Sequence, residues 1–357
     1  MKYTRKNIKN KKNSKNKSIF RKNKYKFFGG DDRLRKVNNQ PYSFQLARTG
    51  QDNKIDTYTG VYSGTWRNNK PAYKGKMIFE NNSVYDGNWL NGLPNGYGEL
   101  NYTDGTVYKG EYKDGIKHGK GVLTQTNGFK LEGNWNNNSV QGQGKIFFPN
   151  GSYYEGNLLN NERNGYGKYF ITDGSNYEGT WFNDKMEGKG VFTFANGTTY
   201  DGDWIANKPD GYGILRDFRE GSEYIGQWKR GRKDGVGSLK ATTMIYTGQW
   251  KKNKIEGKGL ITFLRTGVKL DAVFKWLLSE DNFEYLHAYG MAYYPDGSRY
   301  LGVFNDNEKL DGGESYPPPG APENGEYLAD NDEYNIMFGF AHAEDPDSVT
   351  DLLKVFY

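Results

Sequence analysis

The sequence predicts an all-β chain: an elongated, twisted antiparallel β-meander of tandem 23-residue hairpins, forming a solenoid-like rod. Three observations carry this. Glycine supplies 48 of 357 residues, nearly twice the usual share of roughly 7%, and it costs about 1 kcal/mol in a helix interior relative to alanine. Aromatic residues are plentiful, with 29 Tyr, 20 Phe and 8 Trp. Both residue types recur at one interval along two-thirds of the chain.

The first element, residues 1–36, is a Lys/Asn-rich arm with 15 bases against Asp31 and Asp32. It holds too little apolar surface to offset its ordering entropy and is expected to be disordered. Its cations Lys9, Lys11, Lys12, Lys15, Lys17, Arg21, Lys22, Lys24 and Lys26 suit an anionic surface, such as phospholipid headgroups. Contact with nucleic acid is expected to be no more than nonspecific. A solvated tail with no partner fits the same composition. The arm ends at Gly29-Gly30, similar to the N-termini of some large DNA virus proteins, in which a SUMO-type protease cuts after Gly-Gly. Two glycines in a glycine-rich chain also need no function. Residues 37–61 are expected to cap the first hairpin.

The repeat array follows. Units begin at Tyr62, Tyr85, Tyr108, Leu131, Tyr154, Tyr177, Tyr200, Tyr224, Tyr246 and Leu270, at intervals of 23 six times, then 24, 22 and 24. Counted from each start, glycine stands at +2 in the first nine units, and seven of the eight Trp stand at +4. Tyr, Gly and Trp at 0, +2 and +4 share one face of a strand, with polar residues between them on the other. Asn91-Gly92 and Asp114-Gly115 mark one turn. Gly at +11 and +13, an aliphatic at +15 and an aromatic at +17 make the return strand, and pairs such as Asp104-Gly105 and Asn196-Gly197 close it. Glycine inside a strand leaves space for a neighbouring ring to lie flat, so the rings are expected to stack along successive hairpins.

This YxGxW–NG–GxGxL–DG unit resembles the MORN repeat (membrane occupation and recognition nexus), cleanly from residue 62 to 269. The resemblance implies a non-catalytic scaffold for protein–protein interaction, with phospholipid binding proposed for the family as well. The residues then expected to line an aromatic groove for partners are Tyr62, Trp66, Tyr85, Trp89, Tyr108, Tyr112, Trp135, Tyr154, Tyr177, Trp181, Tyr200, Trp204, Tyr224, Trp228, Tyr246 and Trp250. The bottom-up reading of the same residues is scaffold. The alternative function is peripheral binding to anionic phospholipid through the basic arm. Homodimerisation through the array ends is a further expectation. So is a cytoplasmic location with membrane, cytoskeletal or virion association.

Residues 270–320 are degenerate repeats, and residues 321–357 form an acidic cap or tail that includes Ile336-Met337-Phe338-Gly339-Phe340. No cysteine is present, and the three histidines, His118, His287 and His342, are far apart in sequence. Thiolate chemistry is excluded, and neither a histidine metal site nor a Ser–His–Asp arrangement is expected. The GxG pairs lack the strand-to-helix context of a nucleotide-binding loop. No cofactor and no catalytic activity are expected.

Overall fold

Two kinds of turn fold the chain into hairpins. At the first, two consecutive residues take left-handed φ, as at Asn91 (53°) and Gly92 (90°), or Asn183 (47°) and Asp184 (63°). This is the type I′ arrangement, whose twist matches the flanking strands and which Asn, Asp and Gly tolerate best. At the second, an Asx side chain closes on the backbone two residues ahead. Asp104 Oδ1 accepts from Thr106 N at 2.8 Å, and Asn196 Oδ1 accepts from Thr198 N at 2.9 Å.

The computed structural model describes residues 34–47, 55–278, 284–305, 308–310 and 312–321. Among these the turns organise one open antiparallel sheet of 24 strands, with no helix. β1 (Arg35–Ala47) pairs with β2 (Ile55–Arg67), β2 with β3 (Lys70–Phe79), β3 with β4 (Val84–Leu90) and β4 with β5 (Leu93–Asn101). The sequential order continues to the strand Arg299–Asn305, which takes Glu308–Lys309 and Glu314–Tyr316 on its far side. At a strand spacing of about 4.8 Å the ribbon is on the order of 100 Å long.

The core of each unit that begins with tyrosine is that ring laid across two glycines. A Cβ on Gly179 would stand 2.5 Å from Gly190 Cα and 2.5 Å from the Tyr177 hydroxyl oxygen, so neither glycine has room for a side chain. The Tyr177 hydroxyl donates to the Thr180 carbonyl at 3.0 Å. The equivalent bonds from Tyr62, Tyr85, Tyr108, Tyr154, Tyr200, Tyr224 and Tyr246 measure 2.8–3.1 Å. Trp89, Trp135, Trp181, Trp204, Trp228 and Trp250 then each tie their unit to the one before it. Trp204 Nε1–H donates to the Gly190 carbonyl and Trp135 Nε1–H to the Gly121 carbonyl, both at 2.9 Å.

The rings do not stack face to face along the array, as the sequence suggested. Tyr177 lies 5.1 Å from Trp181 at 90° and 5.3 Å from Trp204 at 81°, so the rings form an edge-to-face zipper. A tyrosine lying flat on glycine meets two indoles at nearly right angles, the arrangement that ring quadrupoles favour. The zipper is interrupted at Leu131 and Leu158, where Val140 and Leu158 fill the space above Gly133 and Gly144.

The glycine at +11 also differs from expectation. Gly96, Gly142, Gly165 and Gly188 have φ of 83°, 81°, 90° and 73°. Gly87 pairs with Gly98 but Trp89 with Pro94, so three residues bulge opposite Asn88 and the +11 glycine supplies the left-handed bend.

Neighbouring turns are joined as well. Asn207 Oδ1 accepts from Met186 N at 2.7 Å, while Asn207 N donates to the Met186 carbonyl at 3.1 Å. Asn161 with Val140 and Asp184 with Arg163 repeat the pair. Where the turn carries Gly92, Gly115 or Gly231 instead, it faces Pro71, Pro94 or Pro209, whose nitrogen has no hydrogen to be accepted. The glycine N–H to proline carbonyl bond is kept there, at 3.0, 2.8 and 2.7 Å.

Trp66 opens the array, and its buried Nε1–H has no acceptor among the described residues. Trp181→Phe should therefore destabilise more than Trp66→Phe, by about 1 kcal/mol for the carbonyl left unpaired. Trp181→Ala should cost about 3–5 kcal/mol, because a central lesion also weakens two interfaces. Gly179→Val should be comparably damaging, and Glu178→Gln on the outer face nearly neutral. Urea unfolding followed by tryptophan fluorescence checks the order.

Candidate interaction surfaces

The sixteen residues expected to line a partner groove are core. Tyr62, Tyr85, Tyr108, Tyr154, Tyr177, Tyr200, Tyr224 and Tyr246 are at most 1% exposed, and Trp66, Trp89, Tyr112, Trp135, Trp181, Trp204, Trp228 and Trp250 at most 6%. The groove reading of these rings is corrected: they lie down over glycine and one another instead of standing up around a cleft. A partner can meet at most their rims.

Position +9, just past the type I′ turn, covers those rims, and the sequence reading missed it because its residue type varies. It holds Pro71, Pro94, Val140, Met186 and Pro209, but also three cations. The Arg163 guanidinium lies 4.2 Å from the Trp181 ring and 5.2 Å from Tyr169, and its Nε donates to Asp184 Oδ1 at 3.0 Å. Lys117 Nζ stands 4.9 Å from Tyr108, 5.2 Å from Trp135 and 5.3 Å from Tyr102. Burial among these rings pushes the Lys117 ammonium down to about 8. Lys233 lies over Trp250 at 5.2 Å. Ring faces stabilise a cation that is partly out of water.

The same inner face carries a strand of the chain itself. β1 and β2 run past the end of β3, and their far half bends across the first three hairpins. The Tyr42 ring centroid lies 5.7 Å from that of Trp66 at nearly right angles, and Phe44 lies 6.1 Å from Trp89 and 6.3 Å from Phe79. The Tyr42 hydroxyl sits above Gly92, and Leu46 Cδ2 is 2.7 Å from where a Gly115 Cβ would be. Three alternate side chains of one extended segment thus rest against two indoles and two turn glycines.

The outer face is a charge ladder in the first half of the array. Lys109–Glu99, Lys145–Glu155 and Lys168–Glu178 pair across strands at 3.1, 3.0 and 2.8 Å. These pairs are substantially exposed, so water and salt screen them and they add little to stability. A stack of partly exposed rings interrupts the ladder, with Tyr153 4.5 Å from Phe170 and 6.1 Å from Phe147. His118 is exposed on the strand Ile116–Thr124, not in a turn.

Base content changes along the type I′ turn edge. The hairpin turning at Arg230-Gly231 carries Lys229, Arg230, Arg232 and Lys233, and the next carries Lys251, Lys252 and Lys254. Asp210 and Asp234 there accept from the backbone N–H of Arg230 and Lys252, at 3.0 and 3.3 Å. The arm cations Lys9 to Lys26 and the Gly29-Gly30 pair lie outside the described residues, as does the segment 322–357. At the array ends, β1 contains Pro41 and a register shift between Val37 and Gln40, and Glu314–Tyr316 runs into Pro317-Pro318-Pro319. Both features impede pairing at an open sheet edge.

The model of the MORN repeat matches the sequence in nine tandem segments, from residues 62–84 through 246–263, together more than half of the chain. The chain belongs to the MORN-repeat family. The fourth match begins at residue 132, just past Leu131, the first start that lacks tyrosine. MORN arrays are repeat scaffolds that typically engage proteins or membranes. No curated protein sequence matches the chain. Among solved structures it is similar to the SAS-4 (dCPAP) TCP domain in complex with a proline-rich motif of Ana2 (dSTIL) of Drosophila melanogaster. That likeness is 13% identical with a TM-score of 0.27, over 45% of this chain and 90% of that one. A streptogramin B lyase structure is 11% identical with a TM-score of 0.15, over 75% and 94%. Among the described residues no helix is long and apolar enough to cross a membrane, and no group of three His, Cys, Asp or Glu is placed to hold a metal ion.

Burial pushes the Tyr62 phenol up to about 12, and raises Tyr85, Tyr108, Tyr154, Tyr177, Tyr200, Tyr224 and Tyr246 further. Above pH of about 10 the unfolded chain releases phenolic protons that the native array retains, so stability falls as pH rises past that point. Alkaline titration should show tyrosinate absorbance from this set appearing only in the transition that exposes the tryptophans. Tyrosinate formed by these eight residues with native tryptophan fluorescence would contradict their burial.

Proposed function

We propose that this MORN protein is a non-catalytic scaffold that holds extended protein segments against the inner face of its sheet. The observation that supports it is the seat of β1. Tyr42, Phe44 and Leu46, spaced i, i+2 and i+4, rest against the indoles and turn glycines of the first three hairpins. A strand carries alternate side chains on one face, so any segment with large apolar residues at that spacing presents the same chemistry. Recognition then comes from indole rims, turn backbone and the +9 residues.

The test empties the seat. A full-length Tyr42→Ser/Phe44→Ser/Leu46→Ser variant, its fold verified by circular dichroism, should bind a synthetic peptide of residues 39–47. Wild type should bind it at least about tenfold more weakly, because its own tethered strand competes at high effective concentration. Equal binding to both proteins, or none to the folded variant, would overturn the reading.

The net charge of the arm, 15 bases to two acids, supports a second reading, peripheral attachment to anionic phospholipid. A juxtamembrane base contributes about 1 kcal/mol near such a surface. Flotation with phosphatidylserine vesicles should recover full-length protein and lose residues 37–357. Equal recovery of both would remove the arm from the mechanism.

A further inference from the structure

The ring zipper of the second half of the array is a continuous path for single electrons. Tyr177 lies 5.1 Å from Trp181 and 5.3 Å from Trp204, and Tyr200 lies 5.1 Å from Trp204 and 5.2 Å from Trp228. Tyr224 lies 5.2 Å from both Trp228 and Trp250. Successive indoles are thus two strands apart, or about 10 Å.

Indole and phenol differ as stations on such a path. A phenol that gives up an electron must also shed its proton. Here Tyr177, Tyr200 and Tyr224 donate to the carbonyls of Thr180, Asp203 and Gln227, each at 3.0 Å. A carbonyl oxygen accepts a hydrogen bond but is no base for the proton. An indole can lose an electron and keep its N–H as a radical cation. Trp204 and Trp228 donate to the carbonyls of Gly190 and Gly213, at 2.9 and 3.2 Å, so their protons stay in place. The tryptophans are therefore the stations and the tyrosines the bridges between them.

We propose that the array conducts oxidising equivalents along its tryptophans, and that Trp204 and Trp228 are where one comes to rest. Trp181, Trp204, Trp228 and Trp250 are all at most 6% exposed, so desolvation burdens a positive charge on each of them alike. What differs is the neighbour at +9 of the unit before. The Arg163 guanidinium is 4.2 Å from the Trp181 ring, and Lys233 Nζ is 5.2 Å from that of Trp250. A positive charge there opposes a second one on the indole. Asp184 pairs with Arg163, but its carboxylate is the more exposed partner and the guanidinium lies against the ring. For Trp204 and Trp228 the same place holds Met186 and Pro209, which carry no charge. Among the described residues no cation stands over either of these two rings. An outer-sphere one-electron oxidant takes an electron from Trp250, Trp228 refills it, and the vacancy settles on the neutral-flanked pair. One electron leaves the protein, no bond changes and no proton moves.

Tethered photo-oxidation tests the relay. The chain has no cysteine, so full-length Lys251→Cys, at an exposed position next to Trp250, takes a single ruthenium(II) polypyridyl label. Light and a cobalt(III) acceptor turn the label into a ruthenium(III) oxidant, and peptide mapping locates the oxygenated side chains. Trp204 and Trp228 should carry more product than Trp250, although Trp250 is nearest the label. In a Trp228→Leu background, product at Trp204 should fall at least about tenfold, because one step lengthens from about 10 to about 20 Å. The fold accepts leucine at +4, where Leu158 is 3% exposed. Arg163→Met, which copies Met186 at the equivalent place, should raise the share found at Trp181. Circular dichroism verifies each fold. Product confined to Trp250 would overturn the relay, as would an undiminished yield at Trp204 in Trp228→Leu. An unchanged share at Trp181 in Arg163→Met would overturn the role of charge in choosing the resting place. Product gathered at Tyr166, whose hydroxyl donates to the Glu178 carboxylate and so has a base for its proton, would overturn storage on the indoles.

Discussion

A phenol ring lying across two glycine α-carbons is the contact on which the rest of this structure depends. An open sheet has no second layer to cover it. Here the cover comes from within the repeat: Tyr177 lies on Gly179 and Gly190, too close for either to carry a Cβ. Its hydroxyl finds a carbonyl three residues on, so the polar tip is satisfied without water. The flat ring meets two indoles at nearly right angles, and those indoles close the gap to the neighbouring hairpins. Aromatic rings supply most of the large buried side chains in such a scheme, with leucine and isoleucine in support, which explains how so glycine-rich a chain builds a continuous core.

Much of this was legible because it is written in residue identity. Glycine has few reasons to recur within strands, and the register of Tyr, Gly and Trp allows one face and one hairpin length. Asn and Asp before glycine announced both kinds of turn. The bulge was less legible, since a glycine required for left-handed φ looks the same as one required for space. Gly188 and Gly190 are neighbours in the repeat with different reasons for being glycine.

What the sequence concealed lies outside single units. Position +9 varies among proline, aliphatic residues, lysine and arginine, and only the folded array reveals that all of them cap the tryptophan row. The path of β1 across the inner face depends on a bend that no local pattern encodes. Reading the ring rows as a groove was an error of depth: alternation assigns a side chain to a face but says nothing about whether it stands up or lies down. The pairing of proline with a turn glycine about one repeat later, as in Pro71 with Gly92 and Pro94 with Gly115, was visible in principle. It acquires meaning only once the turns are known to exchange hydrogen bonds.

The bonds made by the tryptophans and by the second turn residues, such as Asn207, run one way along the chain. Trp204 donates back to Gly190, and Asn207 accepts from Met186 behind it, so each hairpin completes polar groups that its predecessor left open. The array therefore has a direction, like a filament with a finished end and a growing one. During synthesis from the N-terminus, every new unit would lock the one already made, and the most recent unit would always be the least secure. A chain folding in this manner never needs to hold its whole length unfolded. A ribosome releasing about 23 residues at a time would be feeding a sheet that extends by one hairpin per step.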